Sequence, residues 1–145
     1  MKFNLLKNNK GFTLVETLVA ISIFTVSILG MMSILASGIA DTNYAKQKIT
    51  AEYLAQEGIE YVRNMRDTEV LYGDGNIDAR WNRFRNTPNI NYPVVADFAS
   101  FSREVWLDKS GLGQDEVKIY SRVSWTQGSG NYSITFSENL FNWIE

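Results

Sequence analysis

The chain contains no cysteine, no histidine and only two prolines among its 145 residues. Without cysteine, the fold cannot use disulfide bonds and must be stabilised by its core alone. Without histidine and cysteine, Ser–His and Cys–His nucleophile systems and His-ligated zinc sites are excluded. A formal net charge of −2 gives no global reason to bind nucleic acid. These features disfavour a hydrolytic enzyme, and no cofactor is expected.

The longest uncharged stretch runs from Thr17 to Ala40, where eleven of 24 residues are Leu, Ile, Val or Phe. At about −0.3 to −0.6 kcal/mol each, these eleven favour membrane insertion by roughly 5 kcal/mol. The stretch is long enough to cross a bilayer as a helix. It is preceded by one acid, Glu16, and by a basic leader that contains Lys2, Lys7 and Lys10. The positive-inside rule therefore predicts a single pass, with the N-terminus in the cytoplasm and the rest outside.

Three interpretations of this segment compete. A secretory signal cut after Ala40 would release a product that starts at Asp41, but its apolar region exceeds the usual ~7–15 residues. An uncut signal anchor would tolerate Glu16 near the membrane interface. In the third interpretation Glu16 has a function, because an acid at the edge of a membrane helix is costly without a partner.

The third interpretation has support from a motif. Residues 11–16, Gly-Phe-Thr-Leu-Val-Glu, resemble the processing site of type IV prepilins and pseudopilins, and the strong similarity covers about residues 7–40. The resemblance implies that a prepilin peptidase cuts between Gly11 and Phe12 and methylates the new N-terminus at Phe12. Glu16 then becomes the fifth residue of the mature chain, where the family has its glutamate.

The chemistry gives Glu16 a possible partner. Cutting creates an α-amino cation at Phe12, at a helix N-terminus whose backbone dipole is also positive. Glu16 lies four residues further, about 6 Å along a helix axis. In a stack of parallel, staggered helices, Glu16 of one chain can reach the amine of the next. Breaking such a buried pair costs about 3–5 kcal/mol. The alternative is that Glu16 merely favours a helix start, and its position alone does not separate the two roles.

An amphipathic pattern without proline follows the apolar run. We predict one helix from about Phe12 to Asp67, with Arg63 and Arg66 suited to its C-terminus. Residues 54–64 are also similar to minor pilins and minor pseudopilins of the V/I type, which favours a minor subunit. The apolar side chains of this part share one helical stripe: Ala51, Leu54, Ala55, Gly58, Val62 and Met65.

The remaining residues are expected to form a small globular head. Residues 72–100 are predicted to be a long irregular connection, since glycines and prolines punctuate them. Three strands with alternating polarity follow, and residues 127–131 link the last two as a hairpin. The strands are predicted at 101–107, 117–125 and 132–137. The apolar tail is expected to pack on the head through Leu140, Phe141, Trp143 and Ile144.

The predicted fold class is therefore α+β and pilin-like. A long N-terminal helix, first transmembrane and then amphipathic, packs on a small antiparallel sheet of about three strands. The predicted segments are a prepilin leader, a transmembrane or filament-core helix, its amphipathic continuation and the head, at residues 1–11, 12–40, 41–67 and 68–145. Within the head, residues 72–100 are the variable connection and residues 101–145 are the sheet and tail.

Two further patterns are typical of binding sites. Asp74, Asn76 and Asp78 have the spacing of a calcium loop, but its glycine position is Ala79 and its closing acid falls at Arg85. A polar turn is therefore favoured and no metal is expected.

The second pattern, residues 80–85, interleaves cations and aromatic rings, which can bind single-stranded DNA by phosphate contacts and stacking. We favour a solvated turn whose two aromatic rings lie in the core, and DNA is an uncertain partner. The residues concerned are Arg80, Trp81, Arg83, Phe84 and Arg85.

The resemblance implies a non-enzymatic structural subunit of a type IV pilus or type II secretion-type pseudopilus. Its expected partners are prepilin peptidase, other pilin or pseudopilin subunits, the assembly platform of the machine, and membrane lipid before assembly. It is expected in the cytoplasmic membrane and then in a cell-surface or periplasmic filament. The alternative is a DNA- or surface-binding tip subunit of an uptake or adhesion pilus that uses residues 80–85.

Overall fold

A computed structural model describes residues 11–87, 90–93 and 98–142. The architecture is α+β and pilin-like, with a long N-terminal apolar helix and a three-stranded antiparallel sheet, which confirms the predicted fold class. The chain divides into two compact units, Met1–Asn43 and Tyr44–Glu145. The elements are α1 (Leu14–Tyr72), α2 (Ile77–Arg85), β1 (Phe101–Asp108), β2 (Glu116–Gln127) and β3 (Gly130–Phe141).

The first unit contains the apolar part of α1, and every side chain described there is exposed. Gly30 and Gly38 do not interrupt the helix. Ser22, Thr25 and Ser27 each donate a hydroxyl hydrogen bond to the carbonyl four residues earlier. Because these hydroxyls are satisfied inside the helix, they are tolerated in lipid. The helix has the length and apolar composition that a membrane span requires.

In the second unit, the later part of α1 packs on the sheet. The predicted apolar stripe is confirmed, because five of its six residues are buried and Met65 packs half-buried against the core. Ile59 and Val70, which the stripe omitted, are buried as well. The five buried stripe residues are Ala51, Leu54, Ala55, Gly58 and Val62.

The three strands form an antiparallel meander in the order β1-β2-β3. All three extend beyond the predicted ranges, because backbone pairing continues past the residues that alternate in polarity. Gly128 and Ser129 alone link β2 to β3, and Gly128 has a φ of +58° that suits a tight hairpin turn. The inward face of β2 is buried as predicted at Val117, Ile119, Val123 and Trp125, with buried Ser121 between them.

The C-terminus of α1 differs from the prediction. The helix ends at Tyr72 rather than near Asp67, so Arg63 and Arg66 lie more than a turn before the end. The last turn of α1 contains no basic residue. Arg80 of α2 supplies the cation at this helix end, because its guanidinium donates to the Val70 carbonyl at 3.1 Å. A cation that satisfies the last carbonyls of a helix stabilises its negative dipole end.

The connection predicted as irregular contains α2, so the prediction is wrong there. Asn76 is the N-cap, and its side-chain oxygen accepts a hydrogen bond from the Ala79 N–H at 2.8 Å. A nine-residue helix is too short for a clear periodic signal. Beyond α2, Ile90 forms an antiparallel bridge with Val105 on the edge of β1.

The prediction for the tail is confirmed for one residue and wrong for another. Leu140 lies within β3 and is buried in the core. Phe141 is 51% exposed, because neighbouring residues of a strand point to opposite faces. Trp143 and Ile144 lie outside the described residues.

Gly58 lies where α1 approaches the sheet closely. An added Cβ there would lie 2.4 Å from Ser121 Oγ and 3.2 Å from Arg103 Cδ. Alanine gains about 1 kcal/mol over glycine in a helix, but overpacking a core costs roughly 1–3 kcal/mol. At 2.4 Å the steric cost should exceed the gain, so we expect Gly58→Ala to lower the free energy of unfolding by about 1 kcal/mol.

Denaturant unfolding of the full chain in detergent, followed by circular dichroism, measures this effect. Gly38→Ala is the matched control, since a Cβ at Gly38 meets nothing within 4 Å. If Gly58→Ala is as stable as wild type, the close contact with Ser121 does not limit this position.

Arg103 points inward from β1, and its side chain is only 1% exposed. Its guanidinium donates to the carbonyls of Leu54, Tyr92 and Pro93 and to the Glu57 carboxylate at 2.7 Å. It also lies 4.2 Å from the centroid of the Tyr92 ring, and the Tyr92 hydroxyl donates to the other Glu57 oxygen. The buried charge is thus paired and hydrogen-bonded, and it fixes residues 90–93 against α1 and β1.

This contact predicts a pH dependence. The hydrogen bond from Arg103, followed by that from Tyr92, lowers the pKa of the Glu57 carboxyl below its ordinary value of 4.5 despite partial burial. A carboxyl whose pKa is lowered by folding adds stability above its unfolded pKa, and this is lost as pH falls through the folded pKa. We therefore expect acidification below about pH 5 to lower the unfolding temperature less in Glu57→Gln than in wild type.

Thermal unfolding of the full chain in detergent between about pH 3 and pH 7 measures this difference. Glu104→Gln is the control, because Glu104 is an exposed carboxylate on the opposite face of β1. Identical dependences of the unfolding temperature on pH for Glu57→Gln and wild type would contradict a stabilising role of the ionised Glu57 carboxylate.

Candidate functional site at the N-terminus of the first helix

A reciprocal capping box starts α1. Thr13 precedes the first helical residue, Leu14, and its hydroxyl accepts a hydrogen bond from the Glu16 N–H at 3.2 Å. In return, Glu16 Oε2 accepts from the Thr13 N–H and the Thr13 hydroxyl, each at 3.1 Å. This is the T-x-x-E arrangement that satisfies free N–H groups at a helix start. The predicted start at Phe12 is therefore two residues too early.

The capping box confirms the helix-start interpretation of Glu16. The pairing of Glu16 with a neighbouring amine stays a prediction, and the two roles are compatible. Both capping bonds end on Oε2, and no described residue donates to Oε1. One carboxylate oxygen can thus serve its own helix while the other accepts from another chain. No role was predicted for Thr13 from the sequence, although a threonine three residues before a glutamate is the recognised signal of a capping box.

Gly11 and Phe12 lie just before the capped helix. Both are non-helical and exposed, and the Phe12 side chain is 85% exposed. Among the described residues, no atom beyond its chain neighbours lies within 4 Å of the position that a Gly11 Cβ would occupy. The peptide bond between Gly11 and Phe12 is therefore exposed within the described part of the chain. Residues 1–10, the rest of the predicted leader, lie outside the described residues.

Residues 80–85 do not form the stacking surface that DNA would need. They are helical rather than a turn, but the predicted burial of Trp81 and Phe84 is confirmed, each being 2% exposed. All three arginines make hydrogen bonds within the chain. Their acceptors are the Val70 and Gly75 carbonyls for Arg80, the Glu69 carboxylate and Asp74 carbonyl for Arg83, and the Gly113 and Glu116 carbonyls for Arg85.

The weak calcium candidate has a structural explanation. Asn76 caps α2, and Asp78 lies in the first turn of that helix, where an acid favours the positive dipole end. Asp74 belongs to the bend between the two helices. Within the described part of the chain, no group of three or more acids could hold a metal ion.

The fold and the site together define a class: a pilin-like α+β protein with a capped, apolar N-terminal helix and an exposed Gly-Phe bond before it. Residues 6–32 match the family whose model is described as the prokaryotic N-terminal methylation motif. No curated protein and no solved structure matched the chain. The motif match supports a prepilin-type protein that is processed at its N-terminus and anchored by a single helix. The matched range, residues 6–32, includes Gly11, Phe12 and Glu16.

Proposed function

We propose that the chain is a minor structural subunit of a type IV pilus or a type II secretion-type pseudopilus. Prepilin peptidase cuts between Gly11 and Phe12 and methylates the Phe12 amine. The apolar part of α1 holds the product in the cytoplasmic membrane, with its C-terminal part outside. The observation that carries this proposal is the exposed, non-helical Gly11–Phe12 bond directly before a capped apolar helix.

Assembly follows from two features of the first unit. The apolar side chains described in this unit, from residue 11 onwards, are all exposed, so they can pack against lipid before assembly and against the helices of other subunits afterwards. The Phe12 amine created by cutting adds a charge to this apolar surface. Glu16 Oε1 of a neighbouring subunit accepts from that amine, while Oε2 keeps its own helix capped. The pair neutralises both charges in the filament core.

The choice of a minor subunit rests on the similarity of residues 54–64 to the V/I type. In the second unit only the buried members of this segment pack on the sheet, among them Leu54, Gly58 and Val62. These buried side chains therefore serve packing within the chain. The minor-subunit subtype is supported by the sequence similarity of residues 54–64. We propose no catalytic role.

Fractionation of cells that express the tagged chain together with its assembly machine tests this proposal. The mature chain should appear in filaments sheared from the cells or collected from the periplasm, and only when the prepilin peptidase is present. Its presence in filaments without the peptidase, or its permanent absence from them, would contradict a role as a processed subunit.

A further inference from the structure

Four aromatic side chains cluster in the second unit, one from each of α1, β1, β2 and β3. They are Tyr44, Phe101, Trp125 and Tyr132. The Tyr44 and Tyr132 ring centroids are 5.1 Å apart, and those of Trp125 and Tyr132 are 5.7 Å apart. Tyr44 and Phe101 lie 6.4 and 6.2 Å from Trp125. Trp125 is 4% exposed, whereas Tyr44 and Tyr132 are 37% and 39% exposed.

The position of Tyr44 in the sequence places it at the end of the apolar run. Tyr44 follows Ala40, the last residue of that run, by four positions in the same continuous helix. Four residues of chain reach at most about 14 Å, so Tyr44 stays close to the end of the apolar run. When the run spans a bilayer, the lipid headgroups lie at that end, and tyrosine and tryptophan are enriched among them. The ring contact keeps Tyr132 beside Tyr44.

The surroundings of Tyr132 suit this environment. An open pocket of about 360 Å³ beside the ring is lined by neutral hydrogen-bonding side chains, and none of the described residues that line it is charged. Hydroxyl and amide groups can bond the phosphate and ester oxygens of a lipid, and the absence of cations gives no preference for anionic lipids. The polar lining residues are Ser100, Ser102, Ser124, Thr126, Asn131 and Ser133.

We propose that these four residues, the aromatic cluster, bind the headgroup region of the membrane surface before assembly. The partner is the outer leaflet of the membrane that α1 crosses, so the inference rests on the proposed function. Tyr44 and Tyr132 contact lipid directly, while Trp125 and Phe101 support them from the core. Extraction of the subunit into a filament must then release this surface contact as well as the apolar helix.

Tryptophan fluorescence of the full chain in phosphatidylcholine vesicles tests the proposal, because brominated acyl chains quench only nearby indoles. The background variant is Trp143→Phe, so that only Trp81, Trp106 and Trp125 remain. Bromines near the headgroup should quench part of the emission, and bromines near the bilayer centre should quench less. The quenched part should disappear in Trp125→Phe and persist in Trp106→Phe.

Tyr132→Trp in the Trp125→Phe chain provides a second reporter that does not depend on the buried indole. It should restore the quenching, and replacing phosphatidylcholine by an anionic lipid should change it little. Equal quenching with and without Trp125, or none from either reporter, would overturn the proposal. Quenching that vanishes as the protein-to-lipid ratio rises would also overturn the proposal, since a second copy of the chain rather than lipid would then cover the aromatic cluster.

The same samples separate this proposal from the proposed function. Resistance of the chain to alkaline extraction from the vesicles measures insertion of α1. A chain that does not insert contradicts the membrane-anchored subunit itself. A chain that inserts fully but shows no quenching of either reporter contradicts only the aromatic anchor.

Discussion

Glu16→Gln is expected to insert into the membrane and to be cut normally, yet to be lost from filaments. The glutamine oxygen can still accept from the Thr13 N–H, so the capping box and the helix start are kept. The charge that is removed is the one that we propose neutralises the Phe12 amine of a neighbouring subunit. Leaving one partner of a buried ion pair uncompensated costs about 3–5 kcal/mol, which lowers the equilibrium constant for each subunit contact by roughly two to four orders of magnitude.

The amount of the chain in the sheared or periplasmic filament fraction, relative to the membrane fraction, measures this effect. Glu16→Ala loses both the cap and the charge, so it should match Glu16→Gln in assembly and differ only in helix stability. Thr13→Val is the converse control, because it removes the capping hydroxyl and keeps the carboxylate. If Glu16→Gln enters filaments at the wild-type level, the ion pair has no role in assembly.

Gly11→Val is expected to leave the chain uncut in the membrane. The resemblance to a prepilin processing site places Gly11 directly before the proposed cut, and no described atom beyond the chain neighbours lies within 4 Å of the position of an added Cβ. A loss of cutting therefore reports a steric requirement of the peptidase rather than a change in the fold. Retention of the leader keeps the Phe12 nitrogen in a peptide bond, so the amine for Glu16 never forms and assembly should fail as well.

Comparison of the electrophoretic mobility of Gly11→Val with that of wild type, each expressed with and without prepilin peptidase, measures cutting. Gly38→Ala serves as the control, since it changes a glycine of the same helix far from the bond. Cutting of Gly11→Val at the wild-type rate would mean that the peptidase recognises another bond.

The sequence predicted those parts of the fold that depend on a regular alternation of side chains. The buried face of β2 follows a period of two, from Val117 to Trp125, and the stripe from Ala51 to Val62 follows the period of a helix. Each pattern is long enough to show which face is buried. The helix end at Tyr72 was missed because its stabilising cation, Arg80, comes from another helix.

The residues that sequence reasoning missed act through contacts between distant segments. In the sequence Arg103 is one more charged residue in a strand. In the fold it is buried, and the Glu57 carboxylate and the carbonyls of Leu54, Tyr92 and Pro93, from α1 and from residues 90–93, accept its hydrogen bonds. Ser121 interrupts the apolar face of β2 at the point where Gly58 brings the helix close. Neither contact has a local pattern, so neither could be predicted from the chain alone.

The N-terminal site, in contrast, has a local sequence pattern. Gly11, Phe12 and Glu16 were predicted from a short motif, and the residues that match a family model, 6–32, include all three. Their individual roles stay predictions. The structure adds what the motif does not contain: Oε2 of Glu16 caps its own helix, while no described residue donates to Oε1. At residues 80–85 the sequence pattern did not reveal the role of the side chains in the fold. The pattern of cations and rings is one that suits DNA, but the two rings are buried and the arginines hydrogen-bond to carbonyls that surround α2.

Processing at the Gly11–Phe12 bond is tested by the intact mass of the chain purified from membranes of cells that contain prepilin peptidase. We expect the mass of a chain that begins at Phe12, with one added methyl group on its amine. The mass of a chain that still begins at Met1, or of one that begins at Asp41, would contradict processing at this bond.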